Sequence, residues 1–259
     1  MTVRQLSLPD LVANCVRLGV PGVGLWREPV AEYGLEATAK LVRDAGLTVT
    51  SLCRGGFFTT TQGLDDNRAA IDEAAALGTD TLVLVSGGLA PGSRDLTAAR
   101  ARIGEAIAEL APYAGERGVR LAIEPLHPMY AADRCAVSTL DQALDIAERF
   151  PAAQVGVVVD TYHVWWDDRA PAAVARAGAA GRIHAFQLAD WTTPLPAGVL
   201  NGRGPLGDGA IDLRRWRTLV EEAGYTGPIE VELFNDELWA RNGVEVLEET
   251  AEGFVREVG

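Results

Sequence analysis

Histidine and cysteine are both scarce in this 259-residue chain. Its three cysteines, Cys15, Cys53 and Cys135, are odd in number and far apart. They offer neither a disulfide framework nor a zinc knuckle, and they fit a reducing, cytoplasmic setting. With only His127, His163 and His184 available, any metal site must be built mostly from oxygen. No apolar run approaches the ~18 residues of a membrane span, and residues 1–12 read as too polar for a signal peptide. Basic residues are outnumbered: 23 Lys and Arg face 36 Asp and Glu, for a formal charge of −13. That average field repels a phosphate backbone, and no Lys/Arg cluster builds a basic groove against it. Neither a membrane nor a nucleic acid is therefore an expected partner. No G-x-x-x-x-G-K occurs, and no glycine-rich phosphate loop directly follows an apolar run.

What the chain does contain is alternation. At 48% hydrophobic and 23% charged, it can bury a large core. Short β-branched runs predict strands over 22–26, 48–53, 81–86, 120–124, 154–160, 182–187 and 228–233. Runs rich in Ala, Arg, Glu and Leu predict helices over 9–18, 35–45, 65–77, 98–116, 140–149, 171–177, 213–223 and 244–258. Gly19, Gly46, Gly78, Gly118 and Gly224 follow helices, where C-caps are expected. Units of this size argue for an α/β fold with a parallel sheet. No linker or composition break divides it, so one domain over 1–259 is expected, a (β/α)8 TIM barrel with its first strand very short or missing. Only Thr2-Val3-Arg4-Gln5 is available before the first helix. The alternatives are a barrel left incomplete, or one completed by a neighbour. A doubly wound open sheet is the competing fold.

Four residues stand at the ends of apolar runs: Glu124 after Leu121-Ala122-Ile123, Asp160 after Val157-Val158-Val159, Gln187 after Ala185-Phe186, and Glu232 in Ile229-Glu230-Val231-Glu232. A carboxylate or amide at the end of a buried strand is costly unless something pairs with it. Taken singly, each could be a cap or an ion-pair partner at a loop start. Together they suggest one site, since the C-terminal strand ends of a parallel barrel open onto one face. Three carboxylates and an amide oxygen form a hard set that suits one divalent cation, Mn²⁺ or Mg²⁺, better than Zn²⁺. Glu230 shares a face with Glu232 one layer deeper and reads as a support residue.

Other candidates surround the expected barrel mouth. His163 falls three residues past Asp160, in the following loop, and His127 three residues past Glu124. Either contacts substrate or packs on the aromatic cluster Tyr162, Trp165 and Trp166. Period-2 alternation turns His184 away from Gln187, towards the helices, as a structural residue. Arg203 lies in a glycine-rich loop over 201–212, where close backbone approach is possible and a guanidinium can clamp a hydroxyl or an anion. Trp26, Arg54, Phe57 and Phe58 end two other strands and could line the pocket. The 162–166 aromatics and Trp239 are either pocket walls or contacts in a homo-oligomer.

These pieces resemble the xylose isomerase-like TIM-barrel superfamily, in its sugar phosphate isomerase/epimerase branch, from Gly22 onward. The resemblance is carried by Ile123-Glu124-Pro125-Leu126-His127, Val159-Asp160-Thr161-Tyr162-His163, Phe186-Gln187-Leu188-Ala189-Asp190, Arg203 with Gly207-Asp208-Gly209-Ala210-Ile211-Asp212, and Val231-Glu232-Leu233-Phe234. It implies that Glu124, Asp160, Gln187 and Glu232 hold the metal, that Glu124 and Glu232 are the acid/base pair, and that His163 and Arg203 bind substrate. Gln187 departs from the pattern, because the third ligand of the family is often histidine.

The chemistry implied is proton abstraction next to a carbonyl in a sugar or keto-polyol, through an enediolate. Reprotonation at the same carbon gives epimerisation; at the neighbouring carbon, isomerisation. Loss of a β-leaving group gives a lyase or dehydratase on a keto-sugar or keto-glycoside, and the residues are compatible with all three. A non-catalytic barrel and a DNA-repair endonuclease are competing classes; the few histidines and the acidic charge count against the endonuclease.

Overall fold

The alternation in the sequence becomes a nearly closed parallel barrel. The structure, a computed structural model, describes residues 1–60, 63–196 and 199–259. Strands β1 (Gly22–Trp26), β2 (Thr48–Gly56), β3 (Thr81–Val85), β4 (Arg120–Ile123), β5 (Val155–Asp160) and β6 (Ile183–Leu188) pair in chain order, and β9 (Ile229–Val231) joins beside β6. Every pairing in this sheet is parallel. All the predicted strands and helices are present, their ends within three residues of expectation. The five C-capping glycines have φ between 69° and 91°, the left-handed turn that ends each helix without a Cβ penalty. The short helices Arg27–Tyr33, Thr161–Val164 and Asp236–Trp239 were not foreseen, nor was the antiparallel ribbon of β7 (Asp190–Trp191) and β8 (Arg203–Gly204). Among the described residues, no helix is long and apolar enough to cross a membrane.

Two apolar layers hold the sheet. The larger lies between strands and helices and includes Leu52, Leu82, Leu121, Val157 and Phe186. The smaller fills the barrel interior with Cys53, Val83, Ala122, Val158 and Ala185, Trp26 packing against it. Burying a valine or leucine fully contributes about 1.5–3 kcal/mol. The inner layer also sets the site, because strand alternation places Glu124 above Ala122, Asp160 above Val158 and Gln187 above Ala185. The polar strand ends therefore stand on an apolar floor.

Of the two alternatives for the first strand, very short or missing, the structure shows it missing at residues 2–5. Residues 2–5 are turns, and Thr2 instead uses its hydroxyl to donate to the Val231 carbonyl and to accept from the Leu233 amide. The seam between β9 and β1 is crossed by side chains: Trp26 Nε1 reaches Glu232, while Thr50 and Ser51 reach Glu230. His184 also departs from the simple alternation. A register shift at Val157/Val158 sets Val157 beside Ile183 and Val158 beside Ala185, which leaves His184 as an extra residue. Rather than facing the helices, it packs over Gly156, where a Cβ would lie 2.6 Å from its ring, and bonds the Ala152 carbonyl. Its role is structural, at the strand-start end of the barrel.

Candidate active site

The barrel brings the four strand-end residues onto adjacent strands. In the order β4-β5-β6-β9 they read Glu124, Asp160, Gln187, Glu232, with Glu124 and Glu232 at the outside and the other two between. Their exposures are 4%, 0%, 3% and 8%, so none is a solvated surface group. Arg203 enters from β8 and is itself buried. Its Nη1 donates to Asp160 Oδ2 at 2.8 Å and to the Glu232 carbonyl at 3.1 Å, and forms an ion pair with Glu232 Oε2 at 2.9 Å. Trp26 Nε1 donates to Glu232 Oε1 at 3.1 Å. Glu232 is thus held on both oxygens, and Trp26 positions a carboxylate rather than merely lining a wall.

Asp160 also shapes the chain after it. Its Oδ1 accepts from the Tyr162 amide at 2.9 Å and caps the helix Thr161–Val164. His163 is therefore on a helical turn rather than in a loop, with Nε2 3.9 Å from Asp160 Oδ2. Ligand atoms of Glu124, Asp160 and His163 all lie within 4.8 Å of one another. The His163 ring has a donor at each nitrogen: the His127 amide lies 3.2 Å from Nδ1, and Arg203 Nη2 lies 3.1 Å from Nε2. A neutral imidazole must carry one proton, so it cannot accept at both. With Nδ1 taken by the backbone, Nε2–H and Arg203 Nη2 are two donors side by side, a pair that an incoming oxygen can satisfy.

Burial and crowding set the electrostatics. Three carboxylates face one guanidinium, a formal excess of two negative charges. Burial pushes the Glu124 carboxyl well above its ordinary range, and the Asp160 and Glu232 charges push it further. Burial raises Asp160 to about 6 despite the pull of Arg203. Burial lowers His163 well below the usual imidazole value, and the Arg203 charge lowers it further, so it is neutral. Gln187 adds an unmet acceptor: its Nε2 donates to Glu230 Oε2 at 2.8 Å, while its Oε1 is buried with no partner. An excess of two charges and an orphaned oxygen are what a divalent cation would correct. Glu124, Asp160 and His163 are the residues whose ligand atoms cluster tightly enough for such an ion, with Gln187 and Glu232 on the neighbouring strand ends.

The remaining candidates divide. His127 stacks near Trp166 and Trp191, at 5.6 and 4.9 Å between ring centroids, and its backbone amide touches His163. Arg54 lies over Phe57 at 4.4 Å and makes no ion pair with the carboxylates among the described residues. Trp239 is buried against Phe234, with Arg4 over its ring. Residues 202–207 spell a G-x-G-x-x-G pattern, yet β8 runs through them and no helix opens there. Instead, Asp190 organises this loop by accepting from the amides of Gly207, Gly209 and Ile211 at 3.0 Å each. Only its place in Phe186-Gln187-Leu188-Ala189-Asp190 hinted at it. Tyr130 carried no signal in the sequence. It is buried beside His163, with ring centroids 5.9 Å apart, and its hydroxyl has no partner among the described residues.

Residues 12–250 match the family described as the xylose isomerase-like TIM barrel, and the chain belongs to that family. Its fold superposes on the crystal structure of a Sinorhizobium meliloti 1021 protein with a TM-score of 0.95 and 46% identity, covering 99% of this chain and 96% of that one. Among curated proteins, the chain is 28% identical over 245 residues to a 3-dehydroshikimate dehydratase of Pseudomonas aeruginosa, covering 89% of this chain and 36% of the relative. It is 31% identical over 157 residues to an inosose isomerase of Bacillus velezensis, covering 58% of this chain and 54% of the relative. The chain thus matches about a third of the first relative's length and about half of the second's.

Proposed function

We propose that this chain is a divalent-metal-dependent enzyme that moves a proton next to a carbonyl in a sugar or keto-polyol, as an isomerase or epimerase. The observation that supports this reading is the cluster of three buried carboxylates at neighbouring strand ends, only partly offset by one guanidinium, with the buried, unpartnered oxygen of Gln187 on the strand between them. Glu124, Asp160, Gln187 and Glu232 are the proposed ligands, and their all-oxygen character favours Mn²⁺ or Mg²⁺. When bound, such a cation would polarise the substrate's carbonyl and neighbouring hydroxyl and lower the cost of enediolate charge.

The side chains divide the remaining work. Glu124, whose burial and carboxylate neighbours give it a high proton affinity, is suited to take a proton from carbon. Glu232, across the mouth on the fourth strand of the set, returns one, and Trp26 and Arg203 fix its two oxygens. A positioned acid or base contributes roughly 10²–10⁴-fold. His163 Nε2–H and Arg203 Nη2 donate to a substrate oxygen between them, and the Trp166, Trp191 and His127 rings wall the approach.

A second reading is a dehydratase on the same site. It is favoured by the match to the 3-dehydroshikimate dehydratase, which runs over 89% of this chain, against 58% for the inosose isomerase. Both readings share proton abstraction and differ in what leaves. Metal-stripped protein should be reloaded with Mn²⁺ and incubated in D₂O with a panel of ketoses, keto-polyols and 3-dehydroshikimate. Deuterium next to the carbonyl without mass loss supports the isomerase or epimerase, and loss of water supports the dehydratase. Exchange that Glu124→Gln leaves unchanged would remove the proposed mechanism.

A further inference from the structure

Gln187 poses a problem that a histidine ligand would not. The two ends of a carboxamide have nearly the same shape and opposite polarity. Beside Glu124, Asp160 and Glu232, the favourable direction for a free carboxamide is to turn its NH₂ towards the carboxylates, which would repel a cation. The structure shows the reverse, with Nε2 on Glu230 and Oε1 left unpartnered.

Glu230 is held so that it can impose this. It lies two residues before Glu232 and is paired in register with Gln187 across β6 and β9. One of its oxygens, Oε1, accepts from the hydroxyls of Thr50 and, at 2.7 Å, Ser51. Both hydroxyls reach the same oxygen because the β1–β2 register slips here, pairing Val23 with Val49 but Gly24 with Ser51. The other oxygen, Oε2, is left for Gln187. Space is also reserved: a Cβ at Gly24 would lie 3.0 Å from Glu230 Oε1 and 3.1 Å from its Cδ. Below, Glu230 borders a cleft of about 310 Å³ at the strand-start end, lined also by Arg120, His184 and Tyr225.

We propose that Glu230 is a positioning residue: it accepts the Gln187 NH₂ and so keeps the Gln187 carbonyl oxygen facing the metal position. This rests on the metal-binding reading above and adds to it the device that lets a carboxamide serve as the third ligand. An ionised carboxylate only accepts, so its contact with Gln187 fixes which end of the amide faces it. The Oε1 that this contact leaves free is the oxygen such a cation would take, and a buried acceptor is costly without a partner.

The test is Mn²⁺ titration calorimetry on metal-stripped wild type, Glu230→Ala, Glu230→Gln, Gln187→Ala and the Glu230→Ala/Gln187→Ala double variant, with metal-free melting recorded for each. Residues that orient ligands typically change metal affinity by about 10–100-fold, and Glu230→Ala should weaken Mn²⁺ binding in that range. Glu230→Gln should stay within about threefold, because its own amide oxygen still accepts from Gln187. The double variant should be no weaker than Gln187→Ala, since Glu230 acts through Gln187. If Glu230→Ala does not fold, Gly24→Ala displaces the same carboxylate without deleting it and should also weaken binding. Losses that add in the double variant, or unchanged affinity in both Glu230→Ala and Gly24→Ala while Gln187→Ala is weakened, overturn the role of Glu230 alone. Wild-type affinity in Gln187→Ala would instead overturn the ligand set, and this proposal with it.

Discussion

Replacing Asp160 by asparagine should stabilise the metal-free protein at neutral pH while removing its metal binding. The reason is the sign of the Asp160 shift. Its carboxyl holds its proton to about pH 6 in the fold, against an ordinary value of 3.8, chiefly because burial penalises the charge. Between those two values the folded protein binds more protons than the unfolded chain, so stability from this group falls as pH rises. That difference is worth up to about 3 kcal/mol at pH 7, at about 1.4 kcal/mol for each tenfold change in proton affinity. Asparagine mimics the neutral form and should recover much of it, a gain of about 6–12 °C in melting temperature for a chain of this size. At pH 4 the gain should vanish, because wild-type Asp160 is then protonated in the fold.

The wild-type profile alone decides nothing, because buried histidines tilt it the other way. His184 is pulled down to about 4 by burial, and burial also lowers His163 well below its ordinary value. Both are neutral in the fold and protonate in the unfolded chain below about pH 6.5, so they lose stability as pH falls. The informative quantity is the difference in melting temperature between Asp160→Asn and wild type, measured by calorimetry in chelator from pH 4 to 7.5. It should grow with pH, and saturating Mn²⁺ should reverse its sign at pH 7, because only wild type keeps the full ligand set. A metal-free variant that is less stable than wild type at pH 7 would refute the reasoning. It would show that the Arg203 ion pair, not the burial penalty, governs Asp160.

Other outcomes follow from the same geometry. Glu124→Gln and Glu232→Gln should each cut turnover by roughly 10²–10⁴-fold with the fold retained; full activity in either would take it out of the acid/base role. His163→Ala should raise KM by about tenfold or more, the worth of a hydrogen bond to a charged or reacting group, with metal content measured by elemental analysis unchanged; a parallel loss of metal would make it a ligand. Asp190→Ala should cost about 1–3 kcal/mol, since the buried Ile211 amide and the part-buried Gly207 and Gly209 amides lose their acceptor, and it should raise KM by loosening the segment that carries Arg203. Unchanged melting temperature would show that the loop holds itself.

What the sequence made legible, and what it did not, follows from the range of each interaction. Glu124, Asp160, Gln187 and Glu232 could be found because they break a local rule: each puts a polar group at the end of an apolar, period-2 run, and parallel barrel topology makes such ends neighbours. The buried ion pairs of Arg203 could not be found that way. Arg203 sits 43 residues from Asp160 and 29 from Glu232 in a loop that looks polar and open, and contacts distant in sequence, the β7–β8 pairing, the Phe234 carbonyl, Asn235 and the Asp190 carboxylate, hold that loop in place. Tyr130 and Trp191 were missed for the same reason, since a loop aromatic has no periodicity to betray its direction. His184 shows the converse limit. Alternation assigns its face correctly only if the ladder has no extra residue, and a bulge is set by the neighbouring strand rather than by the residues of the bulged one. The seam between β9 and β1 was the least legible feature, because there the sheet is joined by Trp26, Thr50 and Ser51 side chains rather than by an eighth strand. Those same contacts end on Glu232 and Glu230, so the place where the barrel lacks a strand is also where the proposed acid/base residue and the partner of Gln187 are held.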